Sequence, residues 1–201
     1  MQSFSEIDTM SKRASKAAGF SWGVAEEIGK AVRSLELFGL SGIKNLNLYL
    51  NKIEKNHPKK VNKIDQENKN KELCPIYCGI AFLDQCQKLE ILNNIKFYNV
   101  NYPILILPFI SKASEILGKK ILVRFNKSSL LMNFNKSILS KNLEKQVIDL
   151  VDEISIKFLE NKNSFLDQDW KDLYKLSEKT FVKESKSLKN KGAGAGLKDN
   201  D

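Results

Sequence analysis

Residues 121–134 read ILVRFNKSSLLMNF. Two short runs rich in β-branched, aromatic and aliphatic residues, Ile121–Phe125 and Leu130–Phe134, flank Asn126–Ser129. That is the pattern of two antiparallel strands joined by a turn. A chain that carries such a hairpin between helical patterns belongs to the α+β class. Just upstream, Pro108 fits the start of a helix with Phe109, Ile110, Ala113, Ile116 and Leu117 as its apolar face and Gly118 as its stop. Further upstream, Ile76–Leu83, Ile95–Asn99 and Tyr102–Leu107 are short and apolar and read as strands. Downstream, Leu139, Leu143, Val147 and Leu150 are spaced as in a helix, and Ile154–Leu159 alternates as a strand. Asp167 heads a last helix, Gln168 to Thr180, expected to turn Trp170, Leu173, Tyr174 and Leu176 inward. A helical turn at Glu184–Leu188 then leads to the end of the chain.

The start of the chain is helical and cleanly punctuated. Ser3 and Glu6 form a capping-box pattern, and Gly19 closes the helix they open. Its expected inner side is Ile7, Met10, Ala14, Ala17 and Ala18. Ser21 caps a second helix ending at Gly39, with Val24, Ile28, Ala31, Val32, Leu35 and Phe38 on one stripe. Ser41 caps a third, with Ile43, Leu46, Leu50 and Ile53 in register. The expected layout is a three-helix unit over 1–50, a Lys/Asn-rich linker or loop over 51–72, and a body over 73–201. That body combines a mostly antiparallel sheet, an intervening helix, a helical C-terminal segment and a Gly-rich tail. The linker is too polar to repay the entropy of ordering it.

Composition narrows the partners. The net charge of +9 comes from 33 Lys and Arg against 24 Asp and Glu, but only Arg13, Arg33 and Arg124 are arginine. Arginine is the preferred reader of bases and phosphates, so a solvated basic surface is the reading and nucleic acid is not the expected partner. The longest apolar run, Ile104–Ile110, is too short to span a bilayer. With no secretory pattern at MQSFSEIDTM and three cysteines rather than a disulfide framework, the expected place is the cytoplasm.

Few residues carry a chemical signal. Glu26, Lys30 and Arg33 share one stripe opposite the apolar face of their helix, with Trp22 at its border. They are either exposed ion pairs or a surface recognising a carboxylate or phosphate. Cys74, Cys78 and Cys86 lack the paired spacing of a zinc site, and His57, the single histidine, sits in the Lys/Asn stretch. They read as small core residues, and no metal is expected. Asp84 is either turn chemistry or a strand-end carboxylate. The ending GAGAGLKDND combines Gly192, Gly194 and Gly196 with Asp199, Asn200 and Asp201. It has the glycines of a phosphate loop without a following helix, which excludes a dinucleotide fingerprint. An anion nest, an acidic clasp for a cation or partner chain, and a plain terminus remain open.

Together SWGVAEEIGKAVR (21–33), CPIYCG (74–79) leading to Asp84, and GAGAGLKDND resemble a family of small bacterial proteins filed as domain of unknown function 3726. The resemblance implies a cytosolic protein working beside metabolic enzymes. It carries no established activity and leaves any cofactor unassigned. The expected function is an accessory or ligand-binding protein that docks a partner subunit, a second copy or a small anionic metabolite through the tail and the Trp22–Arg33 helix. The alternative is an enzyme on small polar metabolites with a carboxylate/Lys/Arg pocket. The site set under either reading is Trp22, Glu26, Lys30, Arg33, Asp84, Gly192, Gly194, Gly196, Asp199, Asn200 and Asp201.

Overall fold

The computed structural model describes residues 2–54, 56–69, 72–92, 94–143 and 145–181. The chain divides into two compact units, Met1–Asn161 and Lys162–Asp201.

The first unit opens with α1 (Phe4–Ala17), α2 (Trp22–Leu37) and α3 (Gly42–Ile53). The α1 capping box forms as its sequence dictates: Glu6 N–H donates to Ser3 Oγ at 3.2 Å, and Ser3 N–H donates to Glu6 Oε2 at 2.7 Å. α1 and α2 then end in the same way. Gly19 and Gly39 take φ +99° and +72°, and the next residues, Phe20 and Leu40, donate back to Ser15 O and Leu35 O. Glycine allows the left-handed turn, and the apolar residue after it drops into the core, where Phe20 is fully buried. Ser21 Oγ accepts from Val24 N–H, as its position suggests. Ser41 differs: its hydroxyl goes to Gln146 Oε1, and the first turn of α3 is capped by the Glu36 carboxylate, which accepts from Ile43 N–H at 2.8 Å.

A six-stranded sheet follows, in the order β1-β2-β6-β3-β4-β5. Its strands are β1 (Glu67–Asn68), β2 (Asn94–Asn101), β3 (Ile121–Phe125), β4 (Ser128–Asn133), β5 (Ser137–Lys141) and β6 (Leu150–Phe158). β1 and β2 pair in parallel, and the four ladders joining β2, β6, β3, β4 and β5 are antiparallel. The hairpin at 121–134 is present, with Phe125 opposite Ser128 and Asn126 at φ +50° in the turn. Val123 lies between Leu130 and Ile156, so the inward side chains of three strands form one apolar row. α4 (Pro75–Leu89) and α5 (Leu107–Leu117) complete the unit, and one core runs from Ile28 and Leu35 through Cys78 and Phe82 to Val123 and Ile156. The chain is therefore α+β.

Several elements depart from their sequence patterns. Ile76–Leu83 is helix, not strand: Cys74 Sγ accepts from Tyr77 N–H, Pro75 occupies the first turn, and α4 is buried on most sides. An apolar run without periodicity does not separate a buried strand from a buried helix. Tyr102–Leu107 is a 3₁₀ turn (Pro103–Ile106) leading into α5, with Tyr102 at φ +42°. Ser137–Leu150 is not a helix: it opens with the edge strand β5, which breaks where Asn142 takes φ +58°, and its last residue, Leu150, begins β6. The inner face of α1 is also different. Ser11 and Ser15 are buried, while Met10 is 66% exposed and Ala14 and Ala17 face out. Close approach to α2 selects small residues over apolar ones at that contact.

In the second unit, α6 (Asp167–Ser177) starts one residue before the expected Gln168, with Leu166 and not Asp167 at the cap because the Asp169 carboxylate accepts from Leu166 N–H at 2.9 Å, and it gives way to a 3₁₀ turn over Glu178–Thr180. Its apolar residues are not inward: Trp170, Leu173, Tyr174 and Leu176 are all more than half exposed. No helix among the described residues is long and apolar enough to cross a membrane.

Candidate functional site

The polar stripe of α2 is set by how closely α1 approaches. A Cβ on Gly29 would stand 2.5 Å from Asp8 Oδ1 and 2.7 Å from Asp8 O, so only glycine admits this crossing. With the helices that close, charges pair across the seam. Arg33 Nη1 lies 3.5 Å from Asp8 Oδ2, and Lys12 Nζ lies 3.6 Å from Glu26 Oε1. Lys30 donates to Glu27 Oε1 at 2.8 Å, and that bond raises the pKa of the exposed ammonium. Trp22 is 58% exposed, with Lys16 Nζ 5.5 Å from its ring centroid.

The outer side of the same helix forms one wall of a cavity of about 320 Å³ against α5. Lys30, Arg33 and Lys112 ring it, Glu27 contributes the single carboxylate, and Leu37, Phe38, Pro108 and Phe109 form its apolar lining. Lys112 Nζ is 3.9 Å from Glu27 Oε2. All three cations have a carboxylate beside them, Lys30 and Lys112 sharing Glu27 and Arg33 meeting Asp8.

Asp84 lies elsewhere. It is exposed on α4, at a second cavity of about 520 Å³ lined with Val24, Lys60, Tyr77, Gln85 and Lys88. Gln85 is committed to structure, donating to Asn62 O and accepting from Ile64 N–H. His57 stands next to this region rather than free in a linker: its ring meets Phe20 edge-on at 4.8 Å, and Nε2 is 3.4 Å from the Tyr77 hydroxyl. Glu26, Lys30 and Arg33 do not line the Asp84 cavity. The glycines and acids of Gly192–Asp201 lie outside the described residues.

A third concavity had no signal in the sequence. The Ile7/Met10/Ala14 side of α1 and the Ile43/Leu46/Leu50 side of α3 bound an open groove of about 900 Å³. It arises because α1 spends its small polar face on α2 and leaves its apolar face outside. Glu6, Glu36 and Lys44 stand among its polar lining.

The cysteines are free and buried. Burial pushes the Cys74 thiol up to about 11, and burial pushes Cys78 up as well, so neither is a ready nucleophile near neutral pH. No group of three or more metal-ligating side chains occurs among the described residues.

No curated protein and no solved structure matches the chain. Residues 2–74, from before α1 to the N-cap of α4 and containing every lining residue of the α1–α3 groove, match the family model described as "Protein of unknown function (DUF3726)".

Proposed function

We propose that this is an accessory protein that receives an apolar segment of a partner protein in the groove between α1 and α3. The observation that supports it is the outward apolar side of α1 and α3, with Met10 66% and Ile43 47% exposed over a concavity of about 900 Å³. Isolated exposed apolar residues are ordinary, whereas a contiguous apolar concavity marks an interaction site. Amphipathic helices lie in such grooves through side chains spaced about one turn apart. A separate contact of the same partner with Trp22, and with the tail residues Gly192, Gly194, Gly196, Asp199, Asn200 and Asp201, is part of the proposal, apart from the groove itself.

The test places a photo-reactive amino acid at Met10 or Ile43 of the full chain in its own cell, followed by reconstitution with the purified captured protein. Binding is expected to drop at least tenfold with Met10→Asp and to weaken on deletion of Gly192–Asp201. Equal binding by Met10→Asp would overturn the groove reading, and equal binding by the truncated chain would remove the tail from it.

A second reading has its own support. The α2–α5 cavity gathers Lys30, Arg33 and Lys112 over Phe109, an arrangement for a small anionic metabolite and the nearest thing here to a carboxylate/Lys/Arg pocket for an enzyme. Inorganic phosphate or a small dicarboxylate should raise the melting temperature of the wild type and not of Lys30→Ala/Lys112→Ala. No shift in the wild type would sink it.

A further inference from the structure

We infer that the outer face of the sheet is a second docking surface, for an acidic segment of a partner protein that carries an apolar stripe. The inference uses none of the groove residues and does not rest on the groove reading. Strand register lays this face out in rows. Asn94, Lys157, Leu122, Leu131 and Leu139 stand side by side across β2, β6, β3, β4 and β5. Two residues along each strand, Lys96, Ser155, Arg124, Ser129 and Lys141 form the next row. Successive side chains of a strand point to opposite faces, and the core takes the intervening set, among them Val123, Leu130 and Ile156.

An antiparallel sheet with one solvated face alternates apolar residues inward with polar residues outward. Three leucines in register on the outer side break that pattern. Leu139 is 56% exposed, and Leu122 and Leu131 are half-buried. None of the three belongs to the core that joins the strands to α2, α4 and α5. With adjacent strands about 4.8 Å apart, they make a continuous apolar bar about 10 Å long.

The charges border this bar on the same face. Lys157 stands at its end, and Arg124 and Lys141 lie about 7 Å from Leu122 and Leu139 along their own strands. From β2 to β5 the two rows hold Lys96, Lys157, Arg124 and Lys141 and no carboxylate. Lys96 is engaged by Glu153 at 3.0 Å, and Glu67, level with Lys96 on β1, is engaged by Lys69 at 2.6 Å. Among the described residues Arg124, Lys141 and Lys157 have no carboxylate within ion-pair distance.

That pattern selects the occupant. A second copy of the same face would set cation against cation. Single-stranded nucleic acid is held by aromatic side chains stacked on its bases, and this bar is leucine. Membrane-surface elements insert exposed apolar and aromatic side chains among lipid headgroups, whereas Leu122 and Leu131 are half-buried. An acidic segment with an apolar stripe meets both features: its stripe covers the leucines, and its carboxylates reach the cations at the rim. Arg124 is suited to hold one of them with two parallel hydrogen bonds.

Fluorescence anisotropy tests this on the full chain carrying Met10→Asp/Ile43→Asp, which takes the groove out of the measurement. The probe is a labelled peptide of about 16 residues with leucines at helical spacing flanked by glutamates. It should bind saturably, less tightly at higher salt, and at least tenfold more tightly than the same peptide with lysines for the glutamates or serines for the leucines. Arg124→Glu/Lys157→Glu should weaken it at least tenfold with an unchanged denaturation midpoint, both residues being exposed. No binding, equal binding of the lysine peptide, or undiminished binding by that double charge reversal would each overturn the inference. Tighter binding to phosphatidylserine vesicles or to an oligothymidylate than to the peptide would overturn it as well, assigning the face to lipid or nucleic acid.

Discussion

At the scale of single residues, Gly29 decides most. Its missing side chain lets the Asp8 backbone and carboxylate sit against α2, and the Arg33–Asp8 and Lys12–Glu26 pairs follow from that proximity. Gly29→Ala should destabilise the protein by about 1–3 kcal/mol, the usual cost of overpacking a tight contact, read from chemical denaturation. The ion pairs themselves are half-exposed and contribute little. The buried thiols set a pH dependence. Burial raises Cys74 from the ordinary value of 9.0 to about 11 and raises Cys78 in the same direction. Between those values the unfolded chain has released protons that the folded chain still holds, so stability falls as pH rises from about 9 and levels above the folded value. Denaturation midpoints across that window check the sign, and Cys78→Ala should flatten the slope. A thiol reagent at pH 8 should label none of Cys74, Cys78 and Cys86 until the chain is unfolded.

At the scale of elements, the helices at the start were legible because their signals are local. Ser3 with Glu6, and glycines followed by Phe20 and Leu40, specify caps that need no tertiary context. Ser3→Ala should cost about 1 kcal/mol, measured by thermal unfolding. The hairpin at 121–134 was legible for the same reason. α4 was not, because burial on most sides removes the periodicity that separates helix from strand; β5 was not, because its Leu139 falls at helical spacing with Leu143, which lies beyond the strand. The facing of α1 was hidden for a third reason. Hydrophobic pattern points Met10 and Ala14 inward, while close packing on Gly29 rewards Ser11 and Ser15. The exposed apolar stripe of α6 belongs with these cases, since periodicity shows that a face exists and not what covers it.

At the scale of the whole molecule, the candidate sites separate rather than converge. Lys30 and Arg33 share a cavity with Lys112, which the sequence did not single out, and Asp84 lines a different one with Lys60 and Lys88. Helical spacing brought out the first two because they share a stripe; Lys112 comes from α5, 79 residues after Arg33 (112 − 33), and only the packing of α5 on α2 unites them. The groove between α1 and α3 follows from the same logic, as a product of two helix faces neither of which is unusual alone. Because Met10 and Ile43 are exposed, Asp at either position should leave the denaturation midpoint of the isolated protein nearly unchanged. That separation of folding from binding makes one measurement decisive. Calorimetric titration of the cross-linked partner into the full chain, at several temperatures, should show saturable binding with a negative heat-capacity change, the mark of apolar burial, and Met10→Asp/Ile43→Asp should reduce the affinity at least tenfold. Undiminished affinity in that double variant would contradict the account.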